Sequence, residues 1–419
     1  MWKNVLHTAN IFALLWILVI NLFHVAMPRW LIFGGLYLFG VTWLIEFFAE
    51  KRWRAVRPSK KWLHYVLLIV FFCWGFLYYP WDGSVYFHHH TEQRLPLLAI
   101  GLIGLIGLND RYSRAKLINA MVITTVCSIL FLFFKTGWHN VFFSPDRILL
   151  VSENRIRYIS SHMVFNFFLN STLIGMWYLL FHADRKPKVW QMVLYALNTL
   201  LIFCALLLSD GRSGFFMGLA LIGIMVVMEI SRWNKWVGTG VAVCVIALIF
   251  ALCASHPRIS TEKLRGDLRY AYWKSAFELI EEKPLFGYGI SNAQEEFDKV
   301  NMKYVNEQNR YYWTVLHHHY VDSHNQFIQS TLEFGIIGLL LTLAIYLSPL
   351  YICWGKREWR LALFFTLISI GQSLFDMFLT GQFNMLYGIL FLMTMKIKDD
   401  YSSPNPHVAQ AASRVGYKG

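Results

Sequence analysis

The sequence predicts an all-α polytopic membrane protein of about twelve transmembrane helices with one large polar loop, and three observations lead there. Of its 419 residues, 56% are hydrophobic and only 15% charged, and the mean hydropathy is +0.43, a balance that water-soluble globular chains rarely show. Apolar runs near the ~20-residue length that crosses a bilayer recur along the chain. They lie at about 8–27, 30–48, 62–79, 95–108, 117–134, 161–182, 191–208, 214–230, 236–254, 324–350, 361–379 and 383–396. Every second connection between them is basic, the pattern expected of short cytoplasmic loops.

The first run, Ile11 to Met27, is followed by no small-residue cleavage site and is expected to be a retained helix. The connection after the second run carries Lys51, Arg52, Arg54, Arg57, Lys60 and Lys61. Arg111, Arg114 and Lys116, then Arg185, Lys186 and Lys188, then Arg232 and Lys235, then Lys356, Arg357 and Arg360 continue the series. An even number of spans places both termini in the cytoplasm and segments 80–94, 135–160 and 255–323 on the opposite, periplasmic side. The chain therefore divides into spans one to nine (1–254), a periplasmic loop domain (255–323), spans ten to twelve (324–396) and a polar cytoplasmic tail (397–419).

The fourth run is short for a crossing at ~1.5 Å per residue. Its Gly101, Gly104 and Gly107 would admit a closely packed neighbour. Cys73, Cys127, Cys204, Cys244, Cys253 and Cys353 all fall in or beside apolar runs and read as packing residues. The net charge of +13 lies mostly in the short loops, where it sets topology and gives no reason to expect nucleic acid as a partner.

Polar side chains inside apolar runs avoid lipid and should face a bundle interior. His162, Asn166 and Asn170 form one stripe at helical spacing, Asn325, Gln329 and Glu333 a second, and Gln372 with Asp376 a third.

Three segments concentrate groups that can carry chemistry. Arg212 stands in the Gly-flanked break DGRSG between two apolar runs, where a guanidinium can reach an anion at headgroup level or simply anchor to lipid phosphate. In the long loop, RGDLRYAYWKSAFELIEE predicts an amphipathic helix from about Asp267 to Glu282, ended by Pro284 and the turn glycines Gly287 and Gly289. Arg265 and Arg269 lie at its start, where a cation opposes the helix dipole unless an anionic ligand lies between. Ser291 is expected to begin a second helix, with Gln294 at capping-box spacing.

The loop closes on Tyr320, Asp322, His324 and Asn325, and histidine is the natural side chain for moving a proton near neutral pH. Gly335 and Gly338 would allow close helix packing below it. The triplets His88 to His90 and His317 to His319, read as extended loop, have no carboxylate or cysteine to complete a metal site.

Taken in order, DGRSG, then Arg269, Trp273, Ala276, Ile280, Pro284, Leu285, Gly287 and Gly289, then HNQFIQ-x-x-x-E-x-G-x-x-G from His324, resemble the O-antigen ligase family of bacterial membrane glycosyltransferases. That family also includes related polymerases and protein O-oligosaccharyltransferases, and the resemblance covers about Leu201 to Leu340. It implies a GT-C-like membrane enzyme with a periplasmic site and an undecaprenyl-diphosphate-linked glycan as donor. For a ligase, the acceptor is a lipid A core oligosaccharide. It further implies catalytic roles for His324, Arg212 and Arg269 and neither metal nor other cofactor, while Arg265, Trp273, Tyr320, Asp322 and Asn325, in the same segments, are expected among the substrate contacts. A lipid-linked glycan transporter would have a similar span count. Transporters usually show two related halves, whereas here the halves are dissimilar and the notable groups cluster on one face.

Overall fold

The computed structural model describes residues 2–20, 29–56, 58–78, 85–107, 114–143, 150–151, 161–183, 187–209, 212–254, 268–304 and 322–394. Arg265, Tyr320, the second histidine triplet and the tail beyond residue 394 lie outside these residues, as does the side chain of Arg212.

Among the described residues the regular structure is helical, apart from an isolated bridge between Val151 and Ser209. That follows from the solvent, since a helix satisfies its backbone polar groups internally where lipid offers no partner. The helices are α1 (Trp2–Ile20), α2 (Arg29–Ala49), α3 (Trp62–Trp74), α4 (Val85–Ile106), α5 (Arg114–Thr136), α6 (Trp138–Phe142), α7 (His162–Phe181) and α8 (Val189–Leu207). They continue with α9 (Arg212–Trp233), α10 (Lys235–Ala254), α11 (Leu268–Glu282), α12 (Ile290–Asn301), α13 (Gln326–Cys353), α14 (Trp359–Ser373) and α15 (Gly381–Thr394).

Each of the twelve expected apolar runs holds a helix, and six of these, α1, α5, α7, α8, α9 and α13, are long and apolar enough to cross a membrane by themselves. Helix α7 is the hub, buried from Val164 to Leu179 and packed by α5, α8, α9 and α14. Among the described cysteines Cys353 is buried, while Cys73, Cys127 and Cys244 lie on exposed helix faces, so packing does not explain those three.

The fourth apolar run differs most from expectation. Helix α4 begins ten residues before the apolar run and passes through Pro96, so His88 to His90 are helical and not extended. The polar turns fold inward because Arg94 has a buried partner in Glu333 on α13. Gly101 and Gly104 do bring α4 against Ile69 and Tyr65 of α3, whereas Gly107 has no such neighbour.

Helix α13 is broken at Gly335, whose backbone (φ 65°, ψ −158°) suits glycine alone. The broken ladder is mended from the turn after α11. Tyr288 N donates to Leu332 O (3.0 Å), Gly289 N to Glu333 O (2.7 Å), and Ile336 N to Pro284 O (2.8 Å). A Cβ on Gly287 would meet the Glu333 carbonyl at 2.7 Å, and one on Gly335 would meet the Leu285 carbonyl at 2.2 Å. Gly287 and Gly335 are therefore the two sides of one backbone contact, while Gly338 lets the second half of α13 lie close against Ser330 and Phe334 of the first. A second, smaller core (Tyr272, Ala276, Leu279, Tyr288, Phe297, Leu332) fastens α11 and α12 over this junction.

Candidate active site

The chemistry-bearing residues meet where α13 begins and α14 ends. Asn325 is the N-cap of α13: its Oδ1 accepts from Phe327 N (3.0 Å) and Ile328 N (3.1 Å), and its Nδ2 donates to Leu374 O (3.3 Å). Its side chain is thereby committed to the backbone of α13 and of the connection after α14.

His324 precedes the cap with φ 47°, a left-handed conformation uncommon for a side-chain-bearing residue. Neighbours on both sides hold it there. Asp322 Oδ1 accepts from His324 N (2.8 Å). Ser323 is fixed at three atoms: its N donates to Gln329 Oε1 (3.1 Å), its Oγ donates to Asn325 O (2.9 Å), and its carbonyl accepts from Trp273 Nε1 (3.0 Å). The indole N–H of Trp273 thus holds this peptide.

The His324 ring is 38% exposed, and its Nδ1 forms an ion pair with Asp322 Oδ1 at 3.1 Å and approaches Asp376 Oδ1 at 4.0 Å. Nδ1 is thus turned to carboxylates. Burial opposes charge on the ring, but Asp322 and Asp376 outweigh burial and the Arg269 charge, so that the imidazolium pKa is pushed up to about 9. Burial also raises the Asp322 carboxyl, against the pull of His324 and Arg269. Tyr272 lies beside the imidazole at 5.8 Å between ring centroids.

Asp376 was expected on the same helix as Gln372, four residues on. Helix α14 instead stops at Ser373, and Asp376 occupies the following connection, where its Oδ1 accepts from Met377 N (2.8 Å). That connection is tied to α13 by Leu379 N donating to Gln326 Oε1 (2.7 Å). The early helix end is what aims Asp376 at His324.

Arg269 is the second residue of α11, one turn from Tyr272 and Trp273, and its charge reaches both His324 and Asp322. Arg212 opens α9. Asn170 Nδ2 donates to Gly214 O (2.9 Å), and Met217 packs on Gly371 near the end of α14. These contacts put the start of α9 at the same end of the bundle as His324. Ser291, expected as a cap, lies inside α12, which Gly289 precedes. Arg94, which sequence reasoning missed, lies in the polar turns ahead of the fourth run; its signal was a lone arginine bordering an apolar segment. Among the described residues no group of three or more His, Cys, Asp or Glu is arranged to hold a metal ion.

Residues 197–343 match the family model described as O-antigen ligase. The matched segment runs from α8 into α13 and carries Arg212, Arg269, Trp273, Asp322 and His324, while Asp376 and Arg94 lie outside it. The match supports assignment to the O-antigen ligase family. A search of curated proteins finds no match to the chain.

Proposed function

We propose that this chain is a membrane glycosyltransferase of the O-antigen ligase type, moving a glycan from undecaprenyl diphosphate to a sugar hydroxyl of a lipid A core oligosaccharide. It works at the periplasmic face of the inner membrane, as a twelve-span GT-C-like protein with both termini in the cytoplasm. One observation carries this reading: Arg269, Asp322, His324 and Asp376 converge at one end of the bundle, in and beside the segment that matches the family.

Arg212 and Arg269 hold the donor diphosphate through paired N–H groups and offset the charge that grows as the bond to the anomeric carbon breaks. In this reading the two arginines supply the charge stabilisation that a divalent metal supplies in many other glycosyltransferases. The diphosphate leaves with the bonding electron pair and needs no acid. His324 takes the acceptor hydroxyl proton at Nε2 while that oxygen bonds to the anomeric carbon from the opposite face, inverting its configuration. The charge formed on the ring meets Asp322 and Asp376 at Nδ1. With its pKa pushed up to about 9, the ring is a strong base of which only about 1% is neutral at pH 7, so transfer accelerates as pH rises toward that value.

The test supplies purified protein, in EDTA, with undecaprenyl-diphosphate glycan and lipid A core. A conjugate on the core is expected. A lengthened lipid-linked glycan would make the chain a polymerase, glycosylated protein alone would make it an oligosaccharyltransferase, and no transfer by folded protein would overturn the reading.

A further inference from the structure

The pair of Arg94 and Glu333 is buried, at 2% and 1% exposure, with Arg94 Nη2 donating to Glu333 Oε2 at 2.6 Å. The guanidinium lies against the rings of Phe71 and Phe334 at 5.8 and 5.6 Å, and its Nε and Nη1 have no hydrogen-bond partner among the described residues. An ion pair so deep is a poor source of stability, because desolvation cancels most of the attraction. Its place in the fold suggests another use. Glu333 Oε1 accepts from Gln329 Nε2 at 2.9 Å, and Gln329 Oε1 accepts from Ser323 N at 3.1 Å. The next residue is His324.

The direction of this chain is chemically determined. A carboxylate only accepts, so Gln329 must turn its NH2 to Glu333, and its carbonyl oxygen is then fixed toward the Ser323 N–H. A neutral amide at position 333 could present either end, and Gln329 could then face Ser323 with a donor against a donor. Arg94 reaches across from α4 to Glu333, 239 positions away in sequence, at the far end of the hydrogen bonds that lead to the Ser323 peptide.

We propose that Arg94 is a positioning residue for His324, acting through Glu333 and Gln329 on the Ser323 peptide. The proposal deepens the glycosyltransferase reading and rests on it for the catalytic consequence. The groups facing His324 directly are Asp322, Asp376, Arg269 and Tyr272. Arg94 touches none of the reacting atoms in this scheme.

Removing one charge alone would strand the other, so the test uses the double variant Arg94→Met with Glu333→Gln, and Arg94→Lys as the conservative form. Reaction of His324 with diethyl pyrocarbonate, followed by peptide mass spectrometry across pH, reports the ring whether or not glycan is transferred. In the double variant, with melting temperature near wild type, the labelling midpoint shifts, and kcat falls about 10- to 100-fold with donor KM within about twofold, the cost of a misplaced base. Arg94→Lys recovers part of both. An unmoved midpoint with an unchanged kcat overturns the proposal, and so does a fall in kcat that tracks lost melting temperature with the midpoint unmoved. A shifted midpoint in a protein that transfers no glycan supports the positioning chain and refutes the proposed activity.

Discussion

Replacing Asp322 by Asn removes the carboxylate nearest the imidazole and leaves a side chain of the same shape. The Asp322 Oδ1 to His324 Nδ1 separation is 3.1 Å. At that range a unit-charge pair is worth about 1.3 kcal/mol in water and about 5 kcal/mol at an effective dielectric of about 20. The side chains are 38% and 28% exposed, so screening holds the pair near the lower figure, about 1 to 2 kcal/mol or roughly one pKa unit.

With Asp322 and Asp376 pushing the His324 pKa up to about 9, loss of the Asp322 charge should lower its midpoint by about one unit. The asparagine NH2 can also face Nδ1 and favour the tautomer whose Nε2 already carries the proton, which is useless as a base. The expected pH–rate profile of transfer thus rises about one unit earlier and levels off about 10- to 100-fold lower than wild type. The assay is single-turnover glycan transfer from pH 6 to 10 at saturating donor. A profile with unchanged midpoint and plateau would refute the assignment of Asp322 as the partner of His324.

Gly335→Ala places a Cβ 2.2 Å from the Leu285 carbonyl at a positive φ, and a thermal melt in detergent should show a loss on the order of 3 kcal/mol. Gly40→Ala on α2, with open space around its Cβ position, should lose nothing in the same melt. Arg269→Lys keeps the charge but loses the planar fork, so donor KM should rise about tenfold in steady-state assays. The raised pKa of His324 stabilises the fold only while the ring is protonated. The advantage of wild type over His324→Gln in melting temperature should be complete below the ordinary value of 6.5 and vanish as pH rises through about 9.

The bundle was legible because hydrophobicity is written along the chain: every run of apolar residues holds a helix, and the amphipathic α11 begins within a residue of its expected start. His324, Arg269 and Asp322 were legible because charged and titratable groups are conspicuous beside apolar spans, and their gathering follows from the fold. What escaped depends on contacts between distant segments. Helix α4 starts early because Arg94 finds Glu333, and Gly335 breaks α13 because Pro284, Tyr288 and Gly289 take over its backbone partners. Asp376 looked like a buried helical carboxylate, and only the end of α14 at Ser373 turns it toward the imidazole.

The role of His324 as the base of a glycosyl transfer is read from the single-turnover transfer rates of wild type and folded His324→Ala across pH. The wild-type rate should climb toward a midpoint near 9, and the variant rate should be lower by about 100-fold or more, without that climb. A variant that keeps the wild-type rate and profile would rule His324 out as that base.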